Sequence, residues 1–583
     1  MFFWLFAVEQ KIQTSLYIKI YIYFEGRVCL MLVKPNFDLG PVTDNVMAAK
    51  QKFVGSVIKK RALLTPDRNA LEWGDRIWTY KELNTEVNKL ANSFTDIGVQ
   101  RGERVTALVK NRGECVHLLY AAAKIGAIVA FQNWRNTERE LAEAIDVITA
   151  ETIMVAGEFN ENLRHILGQL PYVKRVIYLD EMGTVDQDNI ATYSYADLIA
   201  KGSEAEPNVD LNEEDALFIV YTSGTTGAPK GATISHRAQI QRIKAWMGNY
   251  TQLLGNDKDD ACAIRGPYFH VTSIEETFCT HAMGGKAIVV DGYPVPYMVD
   301  IMERENLNWL SLSPGMYERI IDEIKSRGPG WKPKGIRAIG SMADITPDEQ
   351  IRELTMITGA PFFNTYGLTE IGIENFCNNV LPVAKPEDDL SIYANKGKAE
   401  GFDPEIRLLN ANGEEVAIGE PGELVIRTPM MFSGYWNNLE TNTKDFRDGW
   451  FHTGDVLRRN PDGLFEFVSR VKYMIKTGAE NVYPAEIERV IYSHASVREC
   501  CVIGVPHPKW GETPVAFVAV SDDTTGEQLR EYCRENLAKF KVPTHFEIVE
   551  ESDFPRNQTG KVMREVIEKE WMYKLEGKIE KFQ

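Results

Sequence analysis

Several features that would send the reading elsewhere are scarce or missing. The 8 cysteines in 583 residues, at positions 29, 115, 262, 279, 377, 500, 501 and 533, include no CxxC pair and no zinc spacing. In a chain this long that pattern reads as reduced thiols of a cytoplasmic protein, not as a disulfide framework. Basic residues are in deficit: 65 Lys plus Arg stand against 83 Asp plus Glu, a formal charge of −18. Nucleic-acid binding, which needs clustered cations for phosphates, is therefore disfavoured. No apolar run approaches the roughly 20 residues a membrane-spanning helix requires. The apolar opening MFFWLFAVEQ is interrupted by Glu9 and Lys11 and has neither a basic lead nor a small-residue cleavage site, so it does not read as a secretory signal. Fixed-period repeats and low-complexity tracts are missing too. What remains, 44% apolar and 25% charged, is a globular composition with length for more than one domain.

Residues 1–36 precede any domain-like pattern, although SLYIKIYIYF alternates like a strand. They read as an extension of uncertain status, with Met31 or Met47 as alternative starts and a peripheral membrane contact as the sharper reading. From about residue 50, helix and strand patterns alternate. TYKELNTEVNKLANSFTDIG places Leu83, Val87, Leu90, Ala91 and Phe94 at helical spacing, and CVHLLYAAAKIG is helical up to Gly126. RVTALV, TIMVAG, RVIYLD and ALFIVYTSG are apolar runs of strand length. Such alternation predicts an α/β fold with parallel sheets covered on both faces. After about residue 395, EIRLLNANGEEVAIGEPGELVIRTP reads as strands broken by Asn-Gly and Pro-Gly turns, a small β-rich subdomain. A boundary in SRVKYM divides a large domain, 37–470, from a smaller α+β domain, 471–583.

The densest chemistry lies in YTSGTTGAPKG, Tyr221 to Gly231. A strand runs into glycines, which let backbone N–H groups approach a polyphosphate, with hydroxyls as further donors and the Lys230 ammonium to offset charge. The segment lacks the GxxxxGK[ST] order of a Walker A loop, so it is a phosphate cradle of another kind.

This segment resembles the phosphate loop of the adenylate-forming superfamily, and the resemblance continues in order. TYGLTE (365–370), GELVIRTPMMFSGYW, GWFHTGD (449–455), SRVKYMIKTGAENVYPAEIE and PRNQTGKVMR (555–564) each resemble a family motif, covering roughly residues 50 to 570. Within the superfamily the chain looks like the acyl-CoA synthetase branch. The resemblance implies that Thr222, Ser223, Gly224, Thr225, Thr226, Gly227 and Lys230 hold the phosphates of ATP. It assigns adenine to Tyr366 and Gly367 with Asn364 and Thr365 at its edge, the ribose to Asp455 assisted by Arg470, phosphate to Thr369 and Mg2+ to Glu370. One carboxylate suffices for Mg2+, which takes its remaining ligands from phosphate and water. Lys561 is the implied catalytic lysine, carried on a mobile C-terminal domain that pivots at Lys472. Making an acyl adenylate joins two anions, so charge must be neutralised where they meet.

The implied acceptor is coenzyme A, reaching the adenylate along Gly478, Ala479 and Glu480, with Trp510, Gly511 and Glu512 near the CoA-facing surface. Ala479 stands where the family usually has glycine, Tyr473 where it has an acidic residue, and Met342 in SMADI where it has a Gly-rich turn. PYFHVTSIEETF (267–278) resembles the acid-pocket segment, with His270 at the gating position. Glu275 and Glu276 read as a solvated helix face; turned inward, one would meet a cationic or hydroxylated acid at the cost of burying charge. The expected activity is ATP-dependent ligation of a hydrophobic fatty, aryl or alicyclic acid to CoA. The alternatives are delivery to a carrier protein or other acceptor, and a non-catalytic nucleotide-binding protein of the same fold.

Overall fold

The computed structural model describes residues 51–575 except 186, 224–228, 255–259, 293, 313, 343–347, 378–380, 391–395, 398–403, 478–479 and 557–561, together with the backbone of 18–24 and 27–33. The chain divides into two compact units, Met1–Phe53 and Val54–Gln583. In the first, the alternating IKIYIYF forms strand Ile18–Phe24, antiparallel to Arg27–Val33.

Within the second unit, local signals start and stop the helices. Thr79 and Glu82 form a reciprocal capping box ahead of helix Tyr80–Asp96, which buries Leu83, Val87, Leu90, Ala91 and Phe94. Thr137 and Glu140 do the same for Glu138–Ile148. Helix Gly113–Ile125 is buried almost throughout and ends on Gly126, whose φ of 73° is left-handed.

The elements that build the site are strands β1 (Ala216–Ser223) and β2 (Pro229–Ser235), helices α1 (His236–Leu254) and α2 (Val271–Met283), strands β3 (Phe362–Leu368), β4 (Gly372–Cys377), β5 (Gly434–Tyr435), β6 (Trp450–Arg459) and β7 (Phe465–Arg470), and helix α3 (Arg564–Leu575). Among the described residues, one sheet runs β5, β2, β1, then Ile128–Phe131, Arg104–Leu108, Thr152–Val155, Arg175–Tyr178 and Ala191–Ser194. A second runs β4, β3, Ile339–Met342, Asn306–Leu312, Asp260–Ile264, Lys286–Val289, Asn69–Trp73 and Arg76–Thr79. Their interiors are parallel, as the strand–helix alternation predicts, whereas β2, β4 and Arg76–Thr79 pair antiparallel. The reason is connection length: each follows its neighbour after only a few residues, and only a long crossover can return a strand parallel.

The third sheet is antiparallel: Lys396–Gly397, β7, β6, Pro421–Arg427 and Glu405–Leu409. The Pro-Gly pair expected as a turn instead opens strand Pro421–Arg427, where a missing N–H is tolerated. The chain reverses earlier, at Asn410–Gly413. After β7 a short turn, Val471–Tyr473, leads to a fourth sheet built on Val497–His507 and Gly511–Val520. Val456 and Val468 of the third sheet pack with Met474 and Tyr483 beyond that turn.

Candidate active site

Strands β1 and β2 form a hairpin in which Thr222 faces Lys230 and Ser223 faces Pro229. Gly224, Thr225, Thr226 and Gly227, expected to grip phosphates, lie outside the described residues, and of Ser223 only the backbone is described. Strand β5 lies on the far side of β2, with Tyr435 opposite Ala232. The Lys230 ammonium sits 5.2 Å from the centre of the Tyr435 ring. That places a cation over the aromatic face and leaves its charge available to an anion.

In the second sheet, Asn364 and Thr365 pair with Ser341 and Met342, and Leu368 pairs with Gly372. Gly367 is the penultimate residue of β3, just before the turn that carries Thr369 and Glu370. Glu370 is half-buried, and the Tyr435 hydroxyl donates to its Oε1 at 2.8 Å. Burial raises the Glu370 pKa, against the pull of that hydrogen bond. The Phe432 N–H donates to the Glu370 carbonyl at 2.8 Å, so the turn is tied by backbone and side chain to the segment leading into β5. Among the described residues no cluster of three His, Cys, Asp or Glu could enclose a metal. A lone, oriented carboxylate fits Mg2+ and would suit a thiophilic metal poorly.

The third sheet supplies Asp455, opposite Arg470 in register. The Tyr366 hydroxyl donates to Asp455 Oδ2 at 2.6 Å, and Arg470 Nε lies 2.9 Å from Oδ1. Burial, and next the Asp455 charge, raise the Tyr366 hydroxyl pKa well above its usual value. Tyr366 is thus neutral, with its ring held at one edge. Lys230, Tyr435 and Glu370 thus form one run of contacting side chains and Tyr366, Asp455 and Arg470 a second, with the Arg470 charge acting on Glu370 between them.

His270 caps helix α2, its Nδ1 accepting the Thr272 N–H at 3.3 Å. Burial pushes its pKa down to about 4, leaving the imidazole neutral near pH 7. On the same helix the structure corrects an expectation: Glu275 and Glu276 are 1% and 3% exposed, not a solvated face. Glu275 is paired with Arg242 of α1, whose Nη1 donates to it at 2.6 Å. Burial pushes Glu276 up to about 7, with the Arg265 charge opposing. Both faces of α2 are covered, so polarity along the helix was a poor guide to solvent.

Lys472 lies in the turn after β7, its ammonium donating to Glu565 Oε1 of α3 at 2.6 Å. The Tyr473 hydroxyl donates to the same oxygen, and the Arg564 guanidinium lies 4.8 Å from the Tyr473 ring centre. Burial opposes the shift, but these bonds pull Glu565 down to about 2. Tyr473 therefore brings no acidic charge of its own to this turn and takes a carboxylate from α3. Lys561 lies outside the described residues; the bridge Arg556↔Val562 joins the described residues on either side of that stretch, just before α3. Gly478 and Ala479 are likewise outside, while Glu480 is exposed at the end of a hairpin opposite Thr477. Trp510 is exposed, and Glu512 accepts the Lys476 N–H at 2.8 Å.

Two site residues escaped the sequence reading, Tyr435 and Arg242. Tyr435 stood inside a recognised motif without an assigned role. Arg242 shares a helix face with His236 and Gln239, all three buried, and with the buried Trp246. Polar residues in step with a buried tryptophan were the available signal.

Cationic, acidic and aromatic groups gathered at the edges of two α/β sheets, followed by an antiparallel sheet and a separate terminal sheet, define an adenylate-forming enzyme fold. The AMP-binding enzyme family matches residues 58–436, and the AMP-binding enzyme C-terminal domain matches residues 486–561. The chain belongs to the AMP-binding enzyme family. It is 28% identical over 512 residues to 2-succinylbenzoate–CoA ligase of Bacillus thuringiensis subsp. konkukian, covering 87% of this chain and 96% of that one. It is 29% identical over 528 residues to feruloyl-CoA synthase of an Amycolatopsis species, covering 88% and 97%. The crystal structure of ATP-bound MatB from Rhodopseudomonas palustris superposes with a TM-score of 0.77 at 26% identity, over 90% of this chain and 99% of that chain.

Proposed function

We propose that the protein is an AMP-forming acid–CoA ligase acting on a hydrophobic carboxylic acid. The observation that carries the reading is a pair of contact runs, Lys230–Tyr435–Glu370 and Tyr366–Asp455–Arg470, coupled by the Arg470 charge acting on Glu370. The first run offers a cation for phosphates and a metal carboxylate, and the second offers an acidic partner for ribose beside an aromatic edge for adenine. The relatives named as ligases of 2-succinylbenzoate and ferulate favour an aryl acid within that class.

In the first step a carboxylate oxygen of the acid attacks the α-phosphorus of ATP, and the bond to the β-phosphate oxygen breaks to release pyrophosphate. In the second, the CoA thiolate attacks the acyl carbon and AMP leaves. Thr222, Ser223, the 224–227 loop, Lys230 and Thr369 hold phosphate oxygens; Asp455 and Arg470 hold the ribose; Tyr366 and Gly367, with Asn364 and Thr365, border adenine. Glu370 holds Mg2+, which when bound offsets phosphate charge, and Tyr435 keeps that carboxylate aimed. Neutral His270 borders the acid without adding charge. Lys561 neutralises the junction between carboxylate and α-phosphate, on a 471–583 segment that pivots at Lys472 and then opens the Gly478–Ala479–Glu480 path to CoA. Among the described residues no helix is long and apolar enough to cross a membrane, and the cytoplasm, where ATP and CoA are available, is the proposed location.

The decisive experiment is exchange of labelled pyrophosphate into ATP over a panel of aryl, fatty, alicyclic, sterol-derived and carnitine-like acids, each then assayed with and without CoA. Acid-dependent exchange followed by CoA-dependent AMP release is expected. Exchange that ignores free CoA would redirect the acyl group to another acceptor, and no exchange with any acid would overturn the reading.

A further inference from the structure

Arg242 spends all its nitrogens on three separate segments. Its Nε donates to the Met430 carbonyl at 2.9 Å, Nη2 to the Thr369 carbonyl at 3.0 Å and Nη1 to the Glu275 carboxylate at 2.6 Å. Both side chains of the ion pair are 1% exposed. A buried pair is weak evidence for stability, since apolar residues of like volume often pack as well, so the directed bonds need another account. What they hold is informative. Thr369 begins the turn that carries Glu370. Met430 begins the segment whose Phe432 binds the Glu370 backbone and whose Tyr435 binds its carboxylate. Glu275 belongs to α2, the helix capped by His270. The turn closes tightly over the guanidinium: Gly372 has φ +84°, and a Cβ there would meet Arg242 Nε at 3.2 Å. A rigid, planar fork of donors fixes three partners at once in a way a flexible ammonium does not.

We propose that Arg242, oriented by Glu275, is a positioning residue that sets the Thr369–Glu370 turn for Mg2+ and the phosphates and anchors it to the helix of the acid pocket. The inference rests on the ligase reading for its purpose, but its test uses only Mg2+, ATP and AMP, so a failure to turn over any acid would leave it standing.

The test compares the full chain with Arg242→Lys, Glu275→Gln and the apolar double replacement Arg242→Met with Glu275→Leu. Calorimetry measures affinity for ATP across a Mg2+ titration and for AMP without metal, alongside thermal midpoints. AMP reports the subsite of Tyr366, Asp455 and Arg470 and needs no metal carboxylate. The expected result is an affinity for Mg2+-ATP at least about tenfold weaker in the variants, the size of losing one or two charge-assisted hydrogen bonds, with AMP affinity within about twofold of the parent. A merely structural role would lower both affinities together, or neither in a folded variant, and either result overturns the proposal. Should the single variants fail to fold, the double variant decides. Parental Mg2+-ATP affinity in it overturns the positioning role, and a selective tenfold loss supports it.

Discussion

At the Thr369–Glu370 turn the supporting contacts reach inward, to Arg242, Glu275 and Tyr435, with the Arg242–Glu275 pair 1% exposed at each end. At Lys472 they face outward: the ammonium is 32% exposed and its partner Glu565 54%. The two ion pairs share a donor–acceptor distance of 2.6 Å, yet they differ in what breaking them costs. Removing one partner of a buried pair costs about 3–5 kcal/mol because the other charge is stranded. An exposed pair contributes about 0–1 kcal/mol, since water replaces the partner. The Thr369–Glu370 turn is therefore built to stay still, and the turn at Lys472, the proposed pivot, is held by contacts that can be exchanged cheaply.

The contrast can be broken or sharpened at named positions. The largest effect is expected for Lys561→Ala, with pyrophosphate exchange falling by about 10²–10³-fold as for loss of a transition-state donor. Thioester formation from a supplied acyl adenylate should be spared, and unchanged pyrophosphate release would remove Lys561 from the mechanism. Lys472→Pro, by locking φ at the pivot, is expected to slow thioester formation about a hundredfold more than adenylation. Equal loss in both half-reactions would instead indicate misfolding and erase the distinction between still and mobile regions.

Glu276 tests the inward region through pH. Its carboxyl, raised from 4.5 to about 7 by burial, stays protonated in the folded protein while the unfolded chain ionises. Stability thus declines as pH rises from about 4.5 to about 7 and is level above that. Glu276→Gln should be about 3 kcal/mol more stable than the parent at pH 8 and equal to it at pH 4, read from urea denaturation at each pH. A difference that did not vary with pH would contradict the assignment. Tyr435→Phe leaves the Glu370 carboxylate without its hydroxyl donor and should raise the Mg2+ needed for half-maximal pyrophosphate exchange about tenfold. The smallest effect is expected outside: Glu565→Gln should shift the ratio of the two half-reaction rates by about twofold, with little change in thermal midpoint. A large fall in midpoint there would show that the pivot is not cheaply held.

Much of this architecture was legible in advance because its signals are short-range. Thr79 with Glu82 and Thr137 with Glu140 announce helix starts within four residues, and Gly126 announces a stop. The motif residues Thr222, Lys230, Tyr366, Glu370, Asp455 and Arg470 are readable from their order alone; the structure links Lys230 to Glu370 through Tyr435 and joins Tyr366, Asp455 and Arg470 in a second run. The antiparallel edges, the strand beginning at Pro421 and the burial of Glu275 and Glu276 were not legible, because each depends on what lies across the fold.

By itself the sequence determined the family, the alternation of helices and strands, and the kinds of groups available to meet ATP. Only the tertiary structure decided which of those groups are aimed and by what. Arg242 reaches Thr369 across 127 residues, Tyr366 reaches Asp455 across 89 and Tyr435 reaches Glu370 across 65. A polar side chain carries no local mark of whether it will be solvated or buried against a partner so far along the chain. That outcome is set when the sheets pack and water is excluded between them.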